Sequence, residues 1–160
     1  MLYNSTLNTN YRPTAFAKIK GSDAYPEIIG TARFYSLREG VLVSVMIRGL
    51  PQNANACQSP IYAVHIHSGN SCSGNQTDPF ANALTHYNPK NCAHPYHAGD
   101  MPPIFDAGGV GFSEFLTNRF TLDEIIGKTI VIHSSPDDFT TQPSGNSGTK
   151  IACGVIKPLY

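Results

Sequence analysis

The segment that decides the fold is His86-Tyr-Asn-Pro-Lys-Asn-Cys-Ala-His94-Pro-Tyr-His97-Ala-Gly-Asp100, which holds three of the six histidines of the chain. Proline removes a backbone donor and fixes its own φ, so the two prolines predict a loop here, not a helix or a central strand. Zinc binds imidazole nitrogen and carboxylate oxygen in a tetrahedral arrangement. The candidate zinc ligands are His86, His94, His97 and Asp100. The alternative is that these are four polar surface residues that do not meet.

The other three histidines end short apolar runs that are predicted to be strands. His65 and His67 lie in Ala-Val-His-Ile-His, and His133 ends Thr-Ile-Val-Ile-His. Side chains alternate across a strand, so His65 and His67 are expected on one face. Imidazoles in a roughly square-planar set suit Cu(II), with a fourth nitrogen from the loop. A single histidine at a strand end is more often a half-exposed residue, but three in this pattern favour a copper site.

Most of the remaining chain has the alternation of β-strands. The predicted strands cover 14–20, 28–37, 41–47, 110–115, 128–133 and 151–156, and a single helical turn capped by Gly127 covers 122–127. Val41, Val43, Val45 and Ile47 are predicted to face the core. The stretch from His67 to about Gly109 is irregular, and a loop of this length needs a metal or a disulfide to hold it. The pattern favours an all-β sandwich or barrel.

Length and charge limit the classes of function. A chain of 160 residues with a net charge of zero fits one domain, and its charge indicates neither nucleic acid nor membrane as a partner. Residues 1–13 are predicted to form an arm and 14–160 the domain. The first residues lack the basic and apolar regions of a secretory signal, so the sequence as written predicts a cytoplasmic protein, or an extracytoplasmic one if a leader has been removed.

Taken in order, six groups of residues carry a resemblance to a known family. They are His65-x-His67, His86-Tyr-Asn-Pro, His94, His97-Ala-Gly-Asp100, His133-Ser-Ser-Pro-Asp137-Asp138 and Gly148-x-Lys150-Ile-Ala-Cys153-Gly-Val-Ile. From about residue 14 to residue 156 the chain resembles the copper, zinc superoxide dismutases. The resemblance implies an eight-stranded Greek-key β-barrel, an immunoglobulin-like sandwich with long metal-binding loops.

The resemblance also implies the metal ligands and the reaction. Copper would be bound by His65, His67, His86 and His133, and zinc by His86, His94, His97 and Asp100. The imidazolate of His86 would bridge the two metals. The implied activity is dismutation of superoxide to dioxygen and hydrogen peroxide by copper that cycles between Cu(II) and Cu(I), while His86 takes up and releases a proton. Zinc would have a structural role.

Three further residues take roles by resemblance. Asp137 would accept hydrogen bonds from His65 and His94, although an aspartate beside Pro136 is otherwise a common turn residue. Lys150 stands where the family ordinarily has an arginine that attracts superoxide, and it keeps the charge but lacks the planar fork. Residues 139–147 carry no charged side chain, so Lys150 is expected to supply most of the local field.

The four cysteines, Cys57, Cys72, Cys92 and Cys153, permit three pairings, and the sequence alone does not choose among them. The resemblance implies a bond between Cys72 and Cys153. Cys57 and Cys92 lie outside the family pattern. They form a second bridge or remain two free thiols, and a role for Cys92 as a metal ligand is a third option.

Two other functions compete with the enzyme. One is a non-enzymatic copper and zinc binding protein built on the same barrel, and the other is a protein that binds zinc alone. The complete set of candidate copper ligands argues against both. Family members occur as dimers and as monomers, so a homodimer is an open possibility.

Overall fold

Alternation of apolar and polar residues produces the first strands of the structure. The structure, a computed structural model, describes residues 12–52 and 60–159. In the third strand Val41, Val43, Val45 and Ile47 are at most 3% exposed, as predicted, and the residues between them are more exposed. Burial of one row of β-branched side chains is the interaction that fixes which face of the strand points inward.

The described residues form ten strands and one short α-helix. The bounds are β1 Ala15–Gly21, β2 Ile29–Leu37, β3 Gly40–Arg48, β4 Ile61–Tyr62, β5 Val64–His67, β6 Ile104–Phe105, β7 Val110–Thr117, α1 Leu122–Ile125, β8 Thr129–His133, β9 Lys150–Val155 and β10 Lys157–Pro158. A 3-10 helix covers Ala81–Ala83. Within these ranges no helix is long and apolar enough to cross a membrane.

The main sheet curls around one core. Its order is β5-β8-β9-β1-β2-β3-β7, with β10 added beside β1, and a separate ribbon pairs β4 with β6. Only Ala63 separates β4 from β5, and a bridge between Asp106 and Gly111 links the end of β6 to β7. The ribbon therefore connects the two edges of the sheet. Because β4 and β5 act as one interrupted strand, the predicted eight-stranded barrel is confirmed. Its core contains residues from the main sheet and from the ribbon, such as Ile66 and Ile104.

The connections from β3 to β5 and from β7 to β8 join strands that are not neighbours in the sheet, as in a Greek key. β3 and β7 are neighbours at one edge, while β5, which follows β3 in sequence, lies at the opposite edge beside β8. This topology places β5, β8 and β9 side by side. The three strands carry His65, His67, His133 and Lys150.

The strands that the sequence did not predict are the shortest ones. β4, β6 and β10 have two residues each, too few to show an alternating pattern. The 3-10 helix and β6 interrupt the stretch that was predicted to be irregular as far as Gly109. The predicted arm lies largely outside the described residues, since the description begins at residue 12.

A disulfide between Cys72 and Cys153 fastens the loop after β5 to β9, as the resemblance implied. Cys153 is 3% exposed and packs in a small cluster with Phe80, Ala83 and Val131. The bond joins residues 81 positions apart. It therefore closes a long loop in the unfolded chain and lowers the conformational entropy of that state.

Loss of this bond should destabilise the barrel. Cys72→Ser and Cys153→Ser are each expected to lower the free energy of unfolding of the metal-free protein by about 2–4 kcal/mol, the usual effect of such a bond. Urea denaturation under non-reducing conditions measures the loss. The double variant should lose no more than either single variant, because both remove the same bond. Additive losses would contradict this account.

Candidate metal centre

Neighbouring strands bring three of the candidate ligands together. In the register of β5 and β8, His65 lies opposite Val131, and His67 lies opposite Thr129. A break in the register of β8 and β9 after Ile132 places His133 opposite Lys150. Val64 and Ile66, on the other face of β5, lie in the core. The strand pattern therefore directs His65 and His67 away from the core of the barrel, as predicted.

The loop of residues 86–100 lies along the free edge of β5. Isolated bridges pair His67 with His86 and His65 with Asp100. Between them the Tyr87 N–H donates to the Ile66 carbonyl at 2.7 Å, and the Ile66 N–H donates to the Gly99 carbonyl at 2.9 Å. These backbone bonds fix the position of both ends of the loop against the strand that carries the first histidines.

Seven side chains form two donor sets that share one member. The first donor set is His65, His67, His86 and His133, and the second donor set is His86, His94, His97 and Asp100. Within each set the four ligand atoms lie within 4.8 Å of one another. All seven residues are buried, with at most 7% exposure. Each set has the size and the number of donors that a metal ion requires.

Hydrogen bonds to one ring nitrogen orient the histidines of the first donor set. His67 Nδ1 donates to the Leu84 carbonyl at 2.8 Å, which leaves Nε2 to face His133 Nε2 at 3.2 Å. His65 Nε2 lies 2.8 Å from an Asp137 carboxylate oxygen, which leaves Nδ1 inside the set. Outer partners of this kind fix the tautomer and the ring orientation of a metal-binding histidine.

Asp137 joins the two donor sets from outside. Its carboxylate accepts hydrogen bonds from His65 Nε2 and His94 Nε2, each at 2.8 Å, and from the Phe139 N–H at 2.7 Å. Gly145 lies against this carboxylate with φ +68, and a Cβ at that position would collide with Asp137 and with the His94 ring. The structure thus places Asp137 between one residue of each set.

Burial disfavours the charged forms of His67 and His133. Burial and the neighbouring imidazoles of His65 and His86 lower the pKa of His133 from 6.5 to about 3. Burial and the rings of His133 and His86 lower the pKa of His67 well below its usual range. Burial alone would raise the pKa of Asp137, but the hydrogen bonds from His65, Phe139 and His94 outweigh it and lower that pKa to about 2. Neutral imidazoles have the lone pairs that metal ligands need.

Unpaired buried atoms show that both sets fit a metal ion. Among the described residues, the buried side-chain atoms without a hydrogen-bond partner include His65 Nδ1 and His86 Nε2 in the first donor set and His94 Nδ1 in the second. Buried polar atoms normally have partners, and leaving them unpaired is costly. Four imidazoles suit Cu(II), whereas three imidazoles and a carboxylate suit zinc.

A cavity of about 540 Å³ leads to the first donor set and is lined by His67, His86 and His133. Lys150 also lines it, with a side chain that is 15% exposed. The ammonium of Lys150 lies 2.6 Å from an Asp78 carboxylate oxygen and 3.1 Å from the Phe80 carbonyl. The structure therefore brings Lys150 to the candidate copper ligands but pairs it with an acidic residue that the sequence argument did not include.

Comparison with known proteins agrees with this geometry. Residues 28–156 match the family model described as copper/zinc superoxide dismutase. The chain is 37% identical to superoxide dismutase [Cu-Zn] 2 of Aquifex aeolicus over 146 residues, which is 82% of this chain and 80% of the relative. The chain belongs to the copper, zinc superoxide dismutase family. It is also 32% identical to the superoxide dismutase [Cu-Zn] of Deinococcus radiodurans, over 86% of this chain and 81% of the relative. The Schizosaccharomyces pombe protein of the same name is 32% identical, over 89% of this chain and 96% of the relative.

Several residues that support this copper, zinc superoxide dismutase site were not found from the sequence. The Gln142 side chain accepts from the His94 N–H at 3.0 Å and donates to the His94 carbonyl at 2.7 Å. Arg119 donates to the carbonyls of Pro95, His97 and Asp100 at 3.0–3.3 Å. These contacts join residues 19–48 positions apart, and no local motif marks them.

Of the two remaining cysteines, Cys57 and Cys92, the structure describes only Cys92. Cys57 lies outside the described residues, so its pairing with Cys92 stays a prediction. Cys92 is half-buried in the loop of residues 86–100, and its backbone N–H donates to the Asn88 side chain at 2.9 Å. It belongs to neither donor set, as far as the described residues show.

Gly145 offers a test of the contact around Asp137. Gly145→Ala should displace the carboxylate and weaken zinc binding by about tenfold or more, the usual effect of disturbing an outer partner of a metal ligand. Competition with a zinc chelator measures the affinity. The matched control is Gly108→Ala, since Gly108 has the same φ of +68 but open space around it. Equal zinc affinities in the two variants would contradict the proposed crowding.

The lowered histidine pKa values predict acid sensitivity in the metal-free protein. Below pH 6.5 the histidines of the unfolded chain become protonated, whereas the buried ring of His133 in the folded protein stays neutral until the pH approaches 3. The free energy of unfolding is therefore highest above pH 6.5 and decreases as the pH falls toward 3. His133 alone should cost about 2 kcal/mol by pH 5. Urea denaturation of metal-free protein between pH 7 and pH 4 measures this, and a free energy of unfolding that does not change would contradict the burial of neutral rings.

Proposed function

We propose that this chain is a copper, zinc superoxide dismutase, which converts superoxide to dioxygen and hydrogen peroxide. The observation that carries this proposal is the presence of two complete, buried donor sets that share His86. Membership of the family supports it, since the matched relatives are named superoxide dismutase [Cu-Zn].

In this proposal the first donor set holds copper and the second holds zinc. The four-imidazole set opens to the cavity through His67, His86 and His133, where a small anion can enter. The second donor set contains the carboxylate of Asp100 and lies in the loop that zinc would order. His86 has Nδ1 on the side of Asp100, at 2.8 Å, and its unpaired Nε2 is available to the first donor set.

Bound copper supplies the one-electron chemistry, in which one superoxide is oxidised to dioxygen and a second is reduced to peroxide. The side chains transfer protons, attract the anion and orient the metal ligands. His86 Nε2 would take up a proton from solvent in the first half of the cycle. In the second half it would give this proton to the reduced superoxide, and solvent would supply the second proton of hydrogen peroxide. Lys150 attracts the superoxide anion into the cavity. Asp137 holds the rings of His65 and His94 by their outer nitrogens.

A second candidate is a protein that binds copper and zinc without catalysis. The pairing of Lys150 with Asp78 favours it, because a neutralised lysine attracts an anion less than a free cation does. The four-imidazole set open to a cavity favours the enzyme, since a metal store does not need an entry for a small anion.

Other parts of the proposal rest on the sequence alone. We propose that residues 14–160 form a single domain that acts without nucleic acid or membrane as partners. A homodimer stays an open possibility, and the location stays a prediction with two alternatives, cytoplasmic as the sequence is written or extracytoplasmic if a leader has been removed.

The decisive test combines metal content with catalysis. Protein loaded with one equivalent of each metal should dismutate superoxide, measured by pulse radiolysis. His133→Ala should lose copper and at least about 100-fold in rate, because it removes one of four copper ligands. It should keep zinc, since His133 lies outside the second donor set.

His97→Ala is the matched control, since it removes one imidazole from the second donor set only. It should lose zinc and keep copper. If the doubly loaded wild-type protein does not turn over superoxide, the chain is a metal-binding protein and not an enzyme. If His133→Ala remains fully active, the copper assignment is wrong.

A further inference from the structure

The cavity above the first donor set contains one pair of opposite charges. Apart from histidines, Asp78 and Lys150 are the charged residues among those described as lining it. The remaining lining is neutral and includes the hydroxyls of Thr77, Thr85 and Thr149. These two side chains are therefore the fixed charges of opposite sign that the described lining adds to the charge of any bound metal ion.

The two charges form a close ion pair. Asp78 and Lys150 approach to 2.6 Å, with side-chain exposures of 39% and 15%. The Lys150 ammonium also donates to the Phe80 carbonyl at 3.1 Å. A lysine lacks the planar fork of arginine, so it depends on such partners to hold its flexible stem in one place.

The loop around Asp78 is built to hold this carboxylate in position. One Asp78 oxygen accepts from the Phe80 N–H at 3.0 Å, while the other accepts from Lys150. Asn75 Oδ1 accepts from the backbone N–H groups of Thr77 and Asp78, each at 2.9 Å. The Cys72–Cys153 bond fastens the same loop to β9, three residues beyond Lys150.

We propose that Asp78 is a positioning residue that also sets the strength of the anion attraction at this site. It holds the Lys150 ammonium beside the Phe80 carbonyl and offsets its charge, so superoxide meets a weaker field than a free lysine would give. This inference rests on the proposed dismutase function for its substrate, but the charge effect applies to any small anion that enters the cavity.

The expected effect follows from Coulomb's law. Removal of one negative charge near the path of a monovalent anion should raise the encounter rate about two- to fivefold at low ionic strength. Added salt screens the difference, so the gain should shrink at high ionic strength.

The test uses the full chain loaded with copper and zinc and compares Asp78→Asn with three reference proteins. These are wild type, Asp78→Glu, which keeps the charge, and Glu114→Gln, which removes a negative charge from the exposed face of β7 outside the cavity. Superoxide dismutation is measured at about 10 mM and about 300 mM ionic strength. Azide affinity of the copper-loaded proteins, followed by absorption, provides a second readout that does not depend on turnover.

Asp78→Asn should dismutate superoxide about threefold faster and bind azide about threefold more tightly at low salt, with both gains reduced at high salt. Asp78→Glu and Glu114→Gln should match wild type. If Asp78→Asn matches wild type in both readouts, or if Asp78→Glu changes as Asp78→Asn does, the inference is overturned. Equal gains in Glu114→Gln would also overturn it, because the effect would then come from total charge.

The two proposals fail in different ways. A wild-type protein that holds both metals but does not dismutate superoxide contradicts the proposed function, and azide binding still decides the role of Asp78. An active wild type with no difference between Asp78 variants contradicts the inference alone.

Discussion

The structure depends on one shared side chain. His86 belongs to both donor sets, so two buried clusters of ligands must be built on opposite sides of one imidazole ring. This requires that the loop of residues 86–100 and strand β5 keep a fixed register. The bridges of His67 with His86 and of His65 with Asp100 supply that register through the backbone. A shift of one residue along β5 would reverse the faces of both histidines and separate the sets.

Strand pairing in the barrel positions some of the ligands, and contacts between distant loops position the others. β5, β8 and β9 position His65, His67, His133 and Lys150 by strand pairing. The loops are held by hydrogen bonds of Asp137 to His65 and His94 and of Gln142 to the backbone of His94, and by the disulfide on the loop after β5. Because the rings are buried, leaving their nitrogens unpaired is costly, and a metal ion would remove that cost.

The fold and the ligands were predictable because they leave local marks in the sequence. The alternating row from Val41 to Ile47 marks a strand with one buried face, and the histidines are rare enough in the chain to be recognised with their spacing. Gln142, Arg119 and Asp78 leave no such mark, since polar residues in loops are common. Their roles arise only when the Greek-key topology brings distant loops together. The two-residue strands β4, β6 and β10 are set by pairing partners and not by their own pattern.

The surroundings of Lys150 could be predicted from the sequence only in part. Its charge and its place beside His133 follow from the sequence and the register, but its partner lies 72 positions away in a loop that the disulfide holds in place. Because residues 139–147 carry no charge, the sequence predicts that Lys150 supplies most of the local electrostatic field. The ion pair with Asp78 changes that expectation, because Asp78 offsets the charge of Lys150 within the cavity.

A crystal structure of the protein loaded with copper and zinc, with anomalous diffraction recorded at both absorption edges, would show whether His86 lies between two different metal ions. We expect copper among His65, His67, His86 and His133, and zinc among His86, His94, His97 and Asp100. A single ion in the whole cluster, or copper and zinc in the reverse positions, would contradict this expectation.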